Sequence, residues 1–237
     1  VSIVFAAIAP HGDVELAAEL REAMEELGRR FDAAQPDVTV VVTPHGVHVD
    51  GHFAVVTAGK VGEWETDREA AAALREAPLP LLGVSYGGND LSSAEFPLDW
   101  GTEVPLGFMR PPRVVVVSPA RDLPLEEHVR LGEAIAGLSG RVALIASADH
   151  GHAHDAGGPY GFHPAAAEYD ARLQDVLGSQ QLDFLPLADL ADDAKADSLW
   201  QLLVLQGAVG EASQADVLAY AAPTYYGMLV AEIQTAA

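Results

Sequence analysis

Six short, β-branched runs with no wet face limit what this chain can fold into. They are SIVFAAIA (2–9), VTVVVT (38–43), FAVVTA (53–58), PLLGVS (80–85), RVVVVS (113–118) and RVALIAS (141–147). A strand with one face in water alternates apolar and polar residues. A run without that alternation must be covered on both faces, as in a parallel sheet held between helices. Helical patterns fill the gaps. Leu16, Leu20, Ala23, Met24, Leu27 and Phe31 recur at helical spacing within 13–31, opposite a face of Glu and Arg, and Asp13 stands where an N-cap belongs. Residues 124–138 repeat the pattern between Pro124 and Gly140. Strand, helix and strand across 113–147 predict a βαβ unit, and the whole predicts an α/β fold with a mostly parallel central sheet flanked by helices. No repeat or linker divides the chain, so one domain over 1–237 is expected. The acidic, Ala-rich LADLADDAKADS (187–198) reads as the exposed start of a helix.

Charge and residue types narrow the function. Asp and Glu total 35 against 13 Lys and Arg, a formal net charge of −22. A surface so negative repels phosphate backbones and anionic headgroups, so no nucleic acid and no membrane is expected as a partner. With no cysteine, thiolate ligands and a thiol nucleophile are excluded, and any metal site must use His, Asp or Glu. The opening VSIVFAAIAP lacks the basic flank of a signal peptide, and no apolar stretch reaches membrane-spanning length. A soluble, cytoplasmic protein is the expectation.

In α/β sheets functional groups collect where strands end. Run 2–9 leads into APHG with His11, run 38–43 into TPHGVHVDGH with His45, His48 and His52, and run 141–147 into ADHGHAHD with His150, His152 and His154. A loop histidine by itself ordinarily bonds a neighbour or faces solvent, and His128 beside Glu126 and Glu127 reads that way. Two strands that both finish in PHG are a stronger signal. Proline fixes the approach and glycine permits a tight turn, so the ring between them is held. A helix starting near Pro164 then carries Glu168 and Asp170. Two imidazoles and a carboxylate on one face of an octahedral ion leave up to three positions open, which suits a non-haem Fe(II) that must bind substrate and O2. Zinc accepts the same donors and supports hydrolysis, and HGHAHD (150–155) is near the H-x-H-x-D-H pattern of zinc hydrolases, with its last two residues reversed. The donor set alone leaves both open. SYGGND (85–90) is Gly-rich but lacks the Lys and spacing of a phosphate loop.

Taken in order, AAIAPHG, VVVTPHG, DWGTEVPL, ASADHGH and GPYGFHPAAAEYD resemble the class III extradiol ring-cleaving dioxygenases of the LigB type. The resemblance runs from residue 1 to about 178, and APTYYGMLVAE (222–232) is similar to that family's closing strand-to-helix segment. It implies an Fe(II) enzyme, with Mn(II) or Zn(II) as other metals, that inserts both atoms of O2 into a catechol-type ring and cleaves it beside the diol. It also implies His11 and His45 as imidazole ligands, Glu168 as the carboxylate ligand and His152 as the acid–base catalyst, since a neutral imidazole takes a catechol proton near neutral pH. Trp100 departs from the family pattern. DWG stands at 99–101 in place of DHG, which removes a second proton donor and offers an aromatic wall to the pocket. Tyr160, His150 and His163 are further pocket candidates, and Arg110 and Arg113 either greet a substrate carboxylate or stand exposed at the surface. The implied partners are a small aromatic substrate and O2, with a homo-oligomer or a small accessory subunit. A metal-dependent hydrolase, or a metal-binding member of the superfamily without catalysis, fits the same residues.

Overall fold

A computed structural model of the chain describes residues 3–86 and 90–234. Ser2 of the first run and the residues 87–89 within SYGGND lie outside that range. The strands are β1 (Ile3–Ala9), β2 (Val38–Val42), β3 (Phe53–Val56), β4 (Lys60–Val61), β5 (Trp64–Glu65), β6 (Leu81–Val84), β7 (Glu95–Phe96), β8 (Val114–Ser118), β9 (Val142–Ser147), β10 (Gln214–Ala221) and β11 (Met228–Gln234). The helices are α1 (Ala18–Ala34), α2 (Arg68–Arg75), α3 (Trp100–Leu106), α4 (Leu125–Ala136), α5 (Pro164–Leu177), α6 (Ala188–Ala194) and α7 (Leu199–Val209).

Eight strands form one sheet in the order β10-β11-β1-β9-β2-β8-β3-β6, and β5-β4-β7 form a small second sheet. The centre of the large sheet, β1-β9-β2-β8, is parallel throughout, as is the β3-β6 pair. The β3-β8, β1-β11 and β10-β11 pairs are antiparallel. Both faces are covered, as the unbroken apolar runs require. Phe5, Ala7 and Ala9 of β1 pack beneath Leu20, Met24, Leu27 and Phe31 of α1. On the opposite face Ala6 and Ile8 meet the apolar stripes of α4, α5 and α7. Each buried leucine or phenylalanine contributes about 1.5–3 kcal/mol relative to exposure, so this two-sided covering holds the sheet's centre fixed.

Several expectations need correction. β8 and β9 are parallel and joined through α4, but β2 lies between them in the sheet. PLLGVS becomes the edge strand β6, which is only partly buried. Residues 222–232 are not a strand leading to a helix: a loop precedes β11, which pairs with β1 and β10. Period two decides this, for Met228 and Val230 enter the core on one face while Leu229, Ala231 and Ile233 enter on the other. The 187–198 stretch forms α6, with Asp189, Asp192 and Asp193 exposed, but then dives inward. α7 behind it is apolar all round and buried accordingly. It lies close on α4, where a Cβ on Gly132 would strike the carbonyl of Val204 and one on Gly207 that of Val129. Among the described residues no helix is long and apolar enough to cross a membrane.

Candidate metal centre

β1, β9 and β2 are neighbours and run the same way, so their carboxyl ends deliver His11, the 148–154 loop and His45 to one rim. The Nε2 atoms of His11 and His45 stand 2.9 Å apart. Asp197, on the turn between α6 and α7, places Oδ2 3.5 Å from His11 Nε2 and 3.7 Å from His45 Nε2. One donor atom from each of these three residues lies within 4.8 Å of the others. Donors held about 2.1 Å from one ion and at right angles to each other lie about 3 Å apart, so the spacing suits a single metal ion.

Hydrogen bonding fixes which ring nitrogen faces inward. Ser147 at the end of β9 donates its hydroxyl hydrogen to the Gly101 carbonyl, so toward His11 it can only accept. His11 therefore donates from Nδ1 to Ser147 Oγ at 3.1 Å and turns Nε2 toward His45. Such an outer partner sets both tautomer and ring orientation of a metal-binding histidine. The tripeptide Asp99-Trp100-Gly101 braces the other side. Asp99 caps α3, accepting from the Thr102 backbone N–H and hydroxyl, and also accepts from the Thr43 hydroxyl at 2.6 Å, two residues before His45. Gly101 lets α3 come this close, since a Cβ there would collide with Thr43 Oγ1. Trp100 between them is 56% exposed, and its ring sits 4.2 Å from that of His45 at 35°.

The electrostatics favour a cation. Burial opposes charge on His11, but the neighbouring Asp149 and Asp197 outweigh it and raise its proton affinity above the ordinary histidine value. Burial, with His11 beside it, pushes His45 down to about 4. Burial would raise Asp197, yet its hydrogen bond and charge contact with His11 hold it below the usual carboxylate range. Asp149 is raised by its own burial and accepts the His11 backbone N–H. Asp197 Oδ1 is buried with no hydrogen-bond partner. With Oδ2 near both imidazole Nε2 atoms and Oδ1 buried without a partner, the Asp197 carboxylate completes a His–His–Asp donor set, so the residues present fit a metal ion.

The three histidines of the 150–154 segment have three separate tasks, and they form no metal cage. His150 is fully buried; its Nδ1 lies 3.0 Å from Ser198 Oγ, which also meets the Tyr169 hydroxyl. Burial lowers its proton affinity to about 4, so it stays neutral. His154 Nε2 meets Asp170 Oδ2 at 2.8 Å. Asp170 also accepts from the Gly151 N–H and the Tyr220 hydroxyl, which ties the loop to α5 and β10. His152 is the one that reaches the site. It donates from Nδ1 to the His150 carbonyl at 2.7 Å, which turns Nε2 toward the pocket, 3.9 Å from Asp197 Oδ2. The Tyr226 ring stacks on it at 5.7 Å and 24°.

Three residues singled out from the sequence lie elsewhere. Glu168 is exposed and pairs with Arg172 at 2.6 Å. α5 buries Ala165, Ala166, Tyr169, Asp170, Leu173 and Leu177, which leaves Glu168 on the solvent stripe; the carboxylate beside His11 and His45 is Asp197. His150 is sealed beneath the rim. His163 is an exposed N-cap that accepts from the Ala165 N–H and does not line the pocket. Trp100 and Tyr160 do line it, together with Trp200, Tyr225 and Tyr226, around a volume of about 530 Å³. Asp197 is hard to single out in the sequence because LADLADDAKADS offers four near-identical aspartates. The usable signal was its place directly before the all-apolar SLWQLLVL, where a chain must turn inward.

Fold and site together define an α/β protein with a His–His–Asp group able to hold a metal at the mouth of an aromatic pocket. The family described as the catalytic LigB subunit of aromatic ring-opening dioxygenase matches residues 62–230, and the chain belongs to it. The matched span includes Trp100, His152 and Asp197, while His11 and His45 precede it. The crystal structure of an uncharacterized protein, JW3007, from Escherichia coli K12 is similar in fold, with a TM-score of 0.66 at 18% identity over 96% of this chain and 98% of that one. No curated protein matches.

Proposed function

We propose that the protein is a non-haem Fe(II) extradiol dioxygenase, which inserts both atoms of O2 into a catechol-type ring and opens it beside the diol. The observation that carries this is the group of His11, His45 and Asp197, converging at a pocket wide enough for one aromatic ring. The three residues would hold the metal. Iron(II), when bound, supplies open positions for the diol oxygens and O2 and a route for electrons between them. Everything else falls to the chain. His152, with Nδ1–H committed to a carbonyl, presents Nε2 to take a proton from a catechol hydroxyl and later return it. Trp100 offers a ring face beside His45 on which the substrate can lie flat. Tyr225 and Tyr226 wall the pocket near His152 and limit water around the transferred proton. The family membership supports the same class of reaction.

The test is oxygen consumption by full-length protein loaded anaerobically with Fe(II), then given O2 and a panel of catechols and aminophenols. Uptake of one O2 per substrate, with the visible absorbance of a ring-opened semialdehyde, is expected, and zinc-loaded protein should be inactive. No uptake with Fe(II) or Mn(II) across the panel contradicts the proposal. So does hydrolysis by the zinc form without O2.

A further inference from the structure

His11 is held at three points by one short stretch of chain. β1 and β9 run parallel with Ala9 opposite Ser147, and the pairing continues past the strand ends, for Ala148 donates its N–H to the Ala9 carbonyl at 2.9 Å. Two residues further along each chain, the same register sets Asp149 beside His11. Side chains two apart on extended backbone point the same way, so Ser147 and Asp149 both reach the histidine. Ser147 Oγ accepts from ring Nδ1 at 3.1 Å. Asp149 Oδ1 accepts the His11 backbone N–H at 3.2 Å, while its Oδ2 lies 3.4 Å from ring Nε2, as near as the Asp197 oxygen at 3.5 Å. The Asp149 side chain is buried, and a bridge to Met228 of β11 pins its backbone.

The hydrogen bond alone does not call for a charge. At the matching PHG turn the His45 backbone N–H is satisfied by a neutral acceptor, the Thr43 hydroxyl at 3.2 Å. A carboxylate is costly to bury unless a positive charge faces it, and Asp149 Oδ2 faces the ring nitrogen that turns toward the metal. Asp149 stands outside the His11, His45, Asp197 group, so it is no fourth donor. We propose that Asp149 is a positioning residue of the metal centre. Oδ1 fixes where β1 presents His11, and the charge beside Nε2 strengthens the hold on a divalent cation without ligating it. The inference rests on the metal reading of the site and not on ring cleavage.

Competition against a fluorescent chelator gives the Mn(II) affinity of the full-length chain and its variants, and the Tm of each in EDTA reports the fold. Asp149→Asn keeps an oxygen for the His11 N–H and removes only the charge. It should weaken Mn(II) binding by about 10–100-fold, the usual cost of losing an outer partner, while the metal-free Tm does not fall. Asp149→Ala, which leaves the N–H without its acceptor, should lower the metal-free Tm as well. A loss of affinity under about tenfold in Asp149→Asn overturns the inference, for the residue then serves the hydrogen bond alone. A loss as complete as that of Asp197→Asn overturns it too, by making Asp149 a donor. Should neither Asp149 variant fold, crystals of the unaltered protein soaked in Mn(II) decide the matter. Asp149 Oδ1 should keep the His11 N–H with both oxygens beyond the roughly 2.2 Å of a metal bond, and an Asp149 oxygen bound to the ion sinks the inference. No Mn(II) uptake by the unaltered protein sinks the metal centre and this inference with it, whereas uptake that Asp149→Asn leaves untouched sinks this inference alone.

Discussion

Asp197→Asn is expected to yield a folded protein that no longer holds metal, whereas Glu168→Ala is expected to hold it as the unaltered chain does. Asparagine keeps the shape of the side chain between α6 and α7 but removes the charge that faces both imidazoles. Loss of an outer partner to a metal ligand ordinarily costs 10–100-fold in affinity, and loss of an anionic donor itself should exceed about 100-fold. Metal content after dialysis against limiting Mn(II) reads this directly. Thermal unfolding gives an independent reading. A metal at one hundred times its dissociation constant stabilises the native state by about 2.7 kcal/mol, so the metal-induced rise in Tm should vanish in Asp197→Asn. Glu168 points to solvent from α5 and is engaged with Arg172, and an exposed i,i+4 ion pair contributes little. Metal loss in Glu168→Ala, or its retention in Asp197→Asn, would reverse the assignment.

His152→Gln is expected to lower turnover by about 10²–10⁴-fold, the usual contribution of a positioned general acid–base group, while metal content stays intact. The ring's Nε2 faces the pocket but is no part of the His11, His45, Asp197 group, and glutamine offers no lone pair of comparable basicity. The loss should fall on turnover, with calorimetric affinity for substrate changed only slightly. A fall under tenfold would move proton transfer to another group. His154→Gln provides the contrast: its ring meets Asp170, so it should loosen the loop and lower thermal stability more than turnover.

The sheet was legible because the physics of burial is local. Unbroken β-branched runs such as VTVVV and VVVVS demand cover on both faces, and they received it. Where the strands end was equally plain, and it put His11 and His45 within view as candidates. What could not be read was order across the sheet: nothing in β8 or β9 says that β2 lies between them, since all three are uniformly apolar. The third donor failed for a related reason. On α5 the burial stripe distinguishes Asp170 from Glu168 only once the face against the core is known, and a resemblance in the AEYD segment suggested the wrong one. Asp197 is set apart from Asp192 and Asp193 by the left-handed Lys195 and the inward turn that follows it, a backbone event that leaves no composition signal.

Crystals grown with Mn(II) and measured on both sides of the metal's absorption edge would examine the centre directly. One anomalous peak should lie about 2.0–2.2 Å from His11 Nε2, His45 Nε2 and an Asp197 carboxylate oxygen, with its remaining side open to the pocket. No peak there at saturating metal, or a peak beside Glu168 or among His150, His152 and His154, would contradict it.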